Sequence, residues 1–217
     1  MKTIFYDFYG YNQKIFTIVN CILNNDSTVA IFLHKYSLLF QISNGAIYYC
    51  LTLLYFYFKL KPLDNESRYI AYVDMSNTMY NIGVLYAVFA IFYTVLKFTM
   101  NFPRPYCSLS ADSYITIVNV ARERCLSSFP SSHVGLCVLI NYIIWPYSNL
   151  YIRIISVLSV LLCAISRIGL AMHYPADILY GVLLVLPTIL LATYIRNTTM
   201  CSFLIVRNVI YKHLFSK

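Results

Sequence analysis

Long apolar runs separated by short polar stretches dominate the chain, and they predict membrane-spanning helices. Four runs are clear and a fifth precedes them along the chain: Thr78–Met100, Ser131–Trp145, Leu150–Leu170, Pro175–Ile195 and Ser43–Phe58. A helix needs about 20 mainly apolar residues to cross the hydrocarbon core of a bilayer, and these runs approach or reach that length. The pattern therefore predicts an all-α fold, a polytopic membrane helix bundle.

The N-terminal part of the chain is less uniform. Residues Tyr11–Leu23 place apolar side chains at helical spacing, which predicts an amphipathic segment. The stretch Ser27–Gln41 is apolar but contains His34 and Lys35, so it is either a tilted sixth span or a helix in the interface. We therefore expect residues 1–42 to form an interfacial or first-span segment. The whole chain, residues 1–217, is expected to be one domain with five to six transmembrane helices.

The composition supports a membrane location. The chain is 60% hydrophobic and 11% charged, whereas a soluble domain carries about 25% charged residues. The excess apolar surface must therefore face lipid. The net charge is +8, but no basic run or stripe accompanies it, so nucleic acid is not an expected partner.

Basic residues outside the candidate site are unevenly distributed between the two sides that alternating spans would define. One side carries Lys59, Lys61, Arg68, Arg153, Arg196, Arg207, Lys212 and Lys217, and the other carries Arg122 and Arg124. Because basic residues concentrate on the cytoplasmic side of a membrane protein, this asymmetry predicts a cytoplasmic C-terminus. The opposite ends of the spans then lie at the outer face.

Cysteine spacing gives no metal signature. The seven cysteines include no CxxC pair. Cys107 and Cys125 both fall in the polar loop between two predicted spans, where a disulfide can form if the loop faces an oxidising compartment. Two free thiols are an equal alternative.

The first of three polar clusters is KFTMNFPRP, which contains Lys97 and Arg104. Arginine offers a planar fork that matches phosphate oxygens, and lysine supplies a compact positive charge. The pair is therefore a candidate phosphate-binding element. A lysine that snorkels to the interface, followed by an ordinary loop arginine, is the alternative.

The second cluster is PSSH, residues Pro130, Ser131, Ser132 and His133. Ser131 is a suitable N-cap, which predicts that a helix begins here with free backbone N–H groups. These donors and the positive end of the helix dipole favour an anion, and His133 would lie in the first turn beside it. An ordinary capped membrane helix is the alternative.

The third cluster, SRIGLAMHYPAD, contains Arg167, His173 and Asp177. Pro175 is well placed as the first residue of a helix, which puts Asp177 in the first turn, four residues after His173. A carboxylate there can fix the imidazole tautomer and leave the other ring nitrogen as a nucleophile. The alternative is an aspartate that caps the helix.

These three clusters together resemble the signature of the type-2 phosphatidic acid phosphatase family, which is related to the vanadium haloperoxidases. That signature is Lys-x6-Arg-Pro, Pro-Ser-x-His and Ser-Arg-x5-His-x3-Asp, in this order, and it occurs here over residues 97–177. Ser132 departs from the pattern, because glycine is commonest at that position. Serine keeps the backbone donor and adds a hydroxyl.

The resemblance implies a role for each residue. His173 attacks phosphorus and forms a phosphohistidine with the support of Asp177, and His133 protonates the leaving group and then activates water. The phosphate oxygens are expected to bind to Lys97, Arg104, Arg167, Ser131, Ser132 and His133. The family needs no metal and no cofactor.

The resemblance also implies an integral membrane enzyme that acts on a lipid phosphate at the outer leaflet, with membrane lipids around it. The compact size resembles the undecaprenyl-diphosphate phosphatases of bacteria, which implies the bacterial inner (cytoplasmic) membrane with the active site facing the periplasm or exterior. Phosphatidylglycerophosphate, phosphatidate and lipid A phosphatases share this frame, and a lipid phosphotransferase is a further alternative. A non-catalytic scaffold or transporter is disfavoured, because His133, Arg167 and His173 are all present.

Two polar groups outside the clusters are also expected at the membrane surface. His34 is predicted to lie in the interface. Arg122, Glu123 and Arg124 form a charged patch before PSSH, which is either a solvated loop or a contact to a substrate headgroup.

Overall fold

The computed structural model describes residues 6–23, 27–115 and 124–215, and the regular elements in these ranges are helical. Arg122, Glu123 and Lys217 lie outside the described residues. The helices are α1 Tyr11–Leu23, α2 Ser27–Leu38, α3 Ile42–Leu60, α4 Asn65–Met100, α5 Pro105–Ser108, α6 Ser132–Ile144, α7 Leu150–Gly169, α8 Pro175–Leu183 and α9 Val185–Phe215. Short 3-10 turns occur at Ala111–Ser113 and Trp145–Tyr147. The predicted all-α fold is confirmed.

Two helices extend beyond the apolar runs that predicted them. Helix α4 begins at Asn65 rather than Thr78, and α9 continues past Ile195 to Phe215. The added stretches contain charged and polar residues but no glycine or proline, so nothing in them terminates a helix. The predicted span that starts at Pro175 is interrupted after Leu183. Pro187 explains this break, because its ring clashes with the carbonyl four residues earlier, which belongs to Leu183.

Three stretches of the described residues are long and apolar enough to cross a membrane: Asn65–Ser108, Leu150–Gly169 and Pro175–Phe215. A fourth is possible if the pair Tyr11–Leu23 and Thr28–Leu38, bent by 116°, forms one broken span. Helix α6 has 13 residues, which corresponds to about 20 Å at 1.5 Å per residue. This is less than the roughly 30 Å of the hydrocarbon core. The short helix begins at the second cluster and is the shortest of the predicted spans.

The chain divides into two compact units, and the predicted single domain of residues 1–217 stays a prediction. The first unit comprises Met1–Asn44 and Ile91–Leu186 and contains every residue of the three clusters. Within it, α7 packs against α1, α2 and α6, and α6 also packs against α8. The core of this unit consists of Phe16, Val134, Cys137, Cys163, Ile168, Ala171 and Ile178.

Helix α1 buries a stripe that contains two asparagines against the other helices of the first unit. Asn12 and Asn20, two turns apart, are buried together with Phe16. The apolar residues Ile18 and Ile22 are instead 60% and 65% exposed. An exposed apolar face suits lipid, and the buried amides are stable because they form hydrogen bonds to backbone groups of the same unit. The predicted amphipathic helix exists, but the side that it buries is a narrow stripe of Asn12, Phe16 and Asn20, while Gln13 and Lys14 are exposed.

The second unit comprises Gly45–Ala90 and Pro187–Lys217 and is held together by side chains between α4 and α9. The hydroxyl of Tyr72 donates to the carbonyl of Arg207 at 3.0 Å, and the Arg207 guanidinium donates to Asn77 Oδ1 at 3.1 Å. Tyr80 stacks on Phe203 with a centroid distance of 4.0 Å. None of the candidate site residues belongs to this unit.

Candidate active site

The second cluster forms the start of α6, as predicted. Ser131 is the N-cap, Ser132 is the first helical residue and His133 lies in the first turn. The N–H of Ser131 donates to the carbonyl of Asp177 at 3.1 Å, so the second cluster contacts the third directly. Glycine at position 181 permits this approach, because a Cβ there would lie 2.7 Å from the Ser131 carbonyl oxygen.

The third cluster links α7 to α8, and its local structure also agrees with the prediction. Pro175 is the first residue of α8, and Asp177 lies in the first turn. The loop before it turns back on the end of α7, because the N–H groups of Met172 and His173 both donate to the carbonyl of Arg167, at 3.1 and 3.2 Å. These bonds hold His173 beside the end of the helix that carries Arg167.

Asp177 is fully buried and accepts three hydrogen bonds. Its Oδ2 accepts from the N–H of Tyr174 at 2.9 Å and from the hydroxyl of Ser128 at 2.5 Å. Its Oδ1 accepts from the hydroxyl of Tyr6 at 2.7 Å. The nearest ring nitrogen of His173, Nδ1, lies 3.6 Å from Oδ2. The carboxylate therefore faces Nδ1 and leaves Nε2 on the far side of the ring.

Both candidate histidines are buried in a cationic environment. In the part of the chain that the structure describes, the ring nitrogens of His133 and His173 have no hydrogen-bond partner. Burial lowers the pKa of His173 well below its usual value, and the positive charges of Arg104, Arg167 and Lys97 lower it further. The ring of His173 is therefore neutral at pH 7, which is the form that can act as a nucleophile.

Arg104 connects the first cluster to the third. Its side chain is 2% exposed, and its guanidinium donates to the carbonyl of Met172 at 3.3 Å and to the carbonyl of Arg124 at 3.1 Å. Nη2 also donates to the hydroxyl of Ser127 at 3.3 Å. Because Met172 directly precedes His173, these bonds bring the arginine next to the candidate nucleophile.

A disulfide joins Cys107 and Cys125. This bond is one of the two alternatives that the sequence left open. The carbonyl of Cys125 accepts a hydrogen bond from the N–H of Arg104 at 2.9 Å. The cross-link thus constrains the loop that carries the backbone partner of Arg104.

Helix α2 also contributes to the site, which the sequence did not predict. Arg167 is fully buried and donates from Nη1 to the hydroxyl of Ser37 at 3.4 Å. Ser37 in turn donates to the carbonyl of His34 at 2.8 Å. His34 is half-buried and acts electrostatically on His133, so it is part of the surroundings of the site. Two polar residues three positions apart in an apolar run were the available signal.

Tyr6 and Ser128 were missed as well. Ser128 lies two residues before PSSH and had no distinguishing context as a loop serine. Tyr6 is 171 residues from Asp177 in the chain, and one tyrosine among 22 gives no sequence signal. Both contacts depend on the folding of separate segments onto one another.

The structure gives no candidate metal centre in the part of the chain that it describes. No three His, Cys, Asp or Glu side chains gather there as a metal ion would require. The absence of a metal from the reaction stays a prediction.

The family model of the PAP2 superfamily matches residues 79–201, which is more than half of the chain and includes all three clusters. The chain belongs to the PAP2 superfamily. With this membership and its long apolar helices, the chain is a membrane lipid phosphatase, a hydrolase.

A solved structure of similar fold is that of LpxE from Aquifex aeolicus. Its sequence is 19% identical, the match covers 83% of this chain and 93% of that chain, and the TM-score is 0.59. At this identity the similarity shows a common fold. A search of curated protein sequences finds no match.

Proposed function

We propose that this PAP2 superfamily member hydrolyses a phosphate monoester or diphosphate on a lipid at the outer leaflet, without a metal, through a phosphohistidine at His173. The observation that carries the proposal is the convergence of the three clusters. The bond from Ser131 to Asp177 joins the second cluster to the third, and the bond from Arg104 to Met172 joins the first to the third. A phosphoryl group bound at this point would meet cations, an imidazole and a carboxylate together.

In the first half-reaction, Nε2 of His173 attacks phosphorus. The nitrogen–phosphorus bond forms while the bond from phosphorus to the leaving oxygen breaks. His133 enters this step protonated, because the negative charge of the bound phosphate stabilises its imidazolium, and the leaving oxygen takes that proton. The imidazole of His173 gains positive charge in this step, and the carboxylate of Asp177 near Nδ1 stabilises that charge.

In the second half-reaction, water attacks the phosphohistidine. His133 has lost its proton in the first step and now accepts one from the water, so inorganic phosphate leaves and both histidines return to their starting states. The charge on the equatorial oxygens is stabilised by the candidate phosphate-binding groups. These groups are Lys97, Arg104, Arg167, Ser131, Ser132 and the backbone N–H groups at the start of α6.

The substrate that we favour is undecaprenyl diphosphate. Its prenyl chain can stay in the bilayer while the diphosphate enters the site. This arrangement suits an apolar chain in which the helix that carries the second cluster, α6, is shorter than the hydrocarbon core. Phosphatidylglycerophosphate, phosphatidate and lipid A are alternative substrates, and transfer of the phosphoryl group to a second lipid is an alternative outcome. A panel of these lipids ranked by kcat/KM, with product analysis, distinguishes among them.

We place the protein in a bacterial inner membrane with the site facing the periplasm or exterior and the C-terminus in the cytoplasm. The distribution of basic residues supports this orientation. Fusions to the C-terminus test it. A fluorescent protein that folds in the cytoplasm should be bright, and a periplasmic alkaline phosphatase at the same position should be inactive. The reverse pattern contradicts the orientation.

The chemistry is tested with protein purified in detergent and assayed for phosphate release in the presence of EDTA. We expect His173→Ala to abolish turnover and wild-type activity to persist with chelator. His213→Ala is the matched control, because His213 is an exposed residue of the second unit and should leave turnover unchanged. Rapid quenching with radiolabelled substrate should trap an acid-labile phosphoenzyme in the wild type. Metal-dependent activity, or turnover that survives His173→Ala, contradicts the mechanism.

A further inference from the structure

The N-terminal segment before α1 reaches the proposed catalytic pair through Tyr6. The hydroxyl of Tyr6 donates to Oδ1 of Asp177 at 2.7 Å. The other oxygen, Oδ2, accepts from Ser128 and from the N–H of Tyr174, and it is the oxygen that approaches His173. Among the described residues, Oδ1 accepts from Tyr6 alone. Each oxygen of the carboxylate therefore has its own donors.

The ring of Tyr6 is held in place by an aromatic cluster. Its centroid lies 4.4 Å from the ring of Phe102, 6.2 Å from Phe129 and 6.5 Å from Tyr174. Contacts of this kind fix an aromatic ring with little remaining rotational freedom. Phe102 lies two residues before Arg104, and Phe129 directly precedes PSSH. Tyr174 is the N-cap of α8, so the cluster connects all three parts of the site.

The hydroxyl of Tyr6 acts as a donor throughout the working pH range. Burial and the neighbouring charge of Asp177 raise the pKa of the phenol above its usual value, so the proton stays on the oxygen. A phenol that is held rigidly beside a carboxylate and cannot ionise is suited to orient that carboxylate.

The segment that carries Tyr6 is also anchored near the site. Asn12 in α1 is buried, and its Oδ1 accepts from the N–H of Ala176 at 2.9 Å. Ala176 directly precedes Asp177. The N-terminal region thus contacts the first turn of α8 at two adjacent places, through Asn12 and through Tyr6.

We propose that Tyr6 is a positioning residue of the active site: its hydroxyl holds the Asp177 carboxylate in the rotation that presents Oδ2 to Nδ1 of His173. This inference deepens the proposed function and rests on it. It extends the working site to a residue far outside the region 97–177 that carries the family signature. Without this donor, the carboxylate loses its restraint on Oδ1, and its proton affinity rises.

The test compares Tyr6→Phe with Tyr6→Leu and with a matched control, Tyr114→Phe. Tyr6→Phe removes the hydroxyl and keeps the ring, and Tyr6→Leu removes both. The hydroxyl of Tyr114 donates to the carbonyl of Tyr106 at 3.1 Å, and neither residue is a candidate site residue, so removal of this hydroxyl should not affect turnover. Each protein is purified full-length in detergent, and kcat, KM, Tm and the pH profile of kcat/KM are measured.

We expect Tyr6→Phe to lower kcat about tenfold with KM within about twofold of wild type. The acid limb of the profile should move to higher pH, because the carboxylate binds a proton more readily once its donor is gone. The groups that face Asp177 and contribute to this limb are Tyr6, His173, Tyr174 and Arg104. Tyr6→Leu should have the same kcat as Tyr6→Phe and a lower Tm than Tyr6→Phe.

Two results overturn the inference. The first is a Tyr6→Phe protein with wild-type kcat and an unmoved acid limb while His173→Ala remains inactive, since this outcome preserves the proposed function and removes Tyr6 from it. The second is a loss of kcat in Tyr6→Leu but not in Tyr6→Phe, which assigns the effect to ring packing. Wild-type turnover that persists in His173→Ala instead refutes the proposed function, and the inference falls with it.

Discussion

Replacement of Asp177 by asparagine tests the proposed pair with His173 most directly. Asparagine has the size of aspartate, so the question is whether it can satisfy the same partners. Tyr174 offers an N–H, which can donate only, so the amide oxygen should take the position of Oδ2. The amide nitrogen then faces Tyr6, whose hydroxyl can rotate to accept. We therefore expect the variant to fold.

The loss in rate follows from the charge that disappears. With 3.6 Å between His173 Nδ1 and Asp177 Oδ2, an imidazolium and a carboxylate attract each other by about 4 to 5 kcal/mol at an effective dielectric constant of about 20. This corresponds to roughly a thousandfold in rate if all of the attraction develops in the transition state. The asparagine oxygen retains a dipole, so we expect kcat to fall by about 100- to 1,000-fold.

The assay is phosphate release at saturating lipid in detergent, with Tm measured on the same preparation. KM should not rise, because Asp177 does not contribute positive charge to the phosphate site. A folded Asp177→Asn protein with kcat within about threefold of wild type refutes the electrostatic role. A large fall in Tm instead shows that the carboxylate is needed for packing, and the Tm distinguishes this result from a catalytic one.

Three further predictions follow from the structure. Replacing Cys107 and Cys125 together by serine should raise KM by about threefold to tenfold with a smaller change in kcat. The reason is that the loop that binds the Arg104 backbone loses its cross-link, and an unchanged KM contradicts this prediction. After correction for substrate ionisation, kcat/KM should stay constant down to about pH 6, because the lowered pKa of His173 keeps its ring neutral there. A fall in kcat/KM with a midpoint at or above the usual histidine pKa of about 6.5 contradicts this prediction. Gly181→Ala should lower Tm by several degrees, roughly as expected for about 1 to 3 kcal/mol of overpacking, because its Cβ would lie 2.7 Å from the backbone oxygen of the residue that caps α6; an unchanged Tm shows that this close approach can relax.

Local features of the site were predictable because they depend on short-range interactions. The N-cap at Ser131 and the helix start at Pro175 follow from the conformations that these residues favour, and both are present. The spacing of His173 and Asp177 on one turn follows for the same reason. Helix ends at Met100 and Gly169 also agree closely with the ends of the apolar runs.

Other features depended on the environment of a segment rather than on its sequence. Periodicity identified α1 as amphipathic, but it could not say which face would be buried. Lipid can accept exposed apolar side chains such as Ile18 and Ile22, so the buried side of α1 can contain Asn12 and Asn20 beside Phe16. Pattern alone also missed the extension of α4 back to Asn65, because polar residues do not end a helix that has no breaker.

By itself, the amino-acid sequence determined the class of fold, the order of the helices and the chemical groups of the site, since these depend on apolar length, helix-terminal residues and short spacings. The tertiary structure decided which distant segments complete the site. Tyr6 reaches Asp177 and Ser37 reaches Arg167 only after the chain has folded, and folding also decides for the disulfide between Cys107 and Cys125 over two free thiols. Contacts between residues far apart in sequence are set by the packing of whole helices, and no local pattern records which partner that packing will supply.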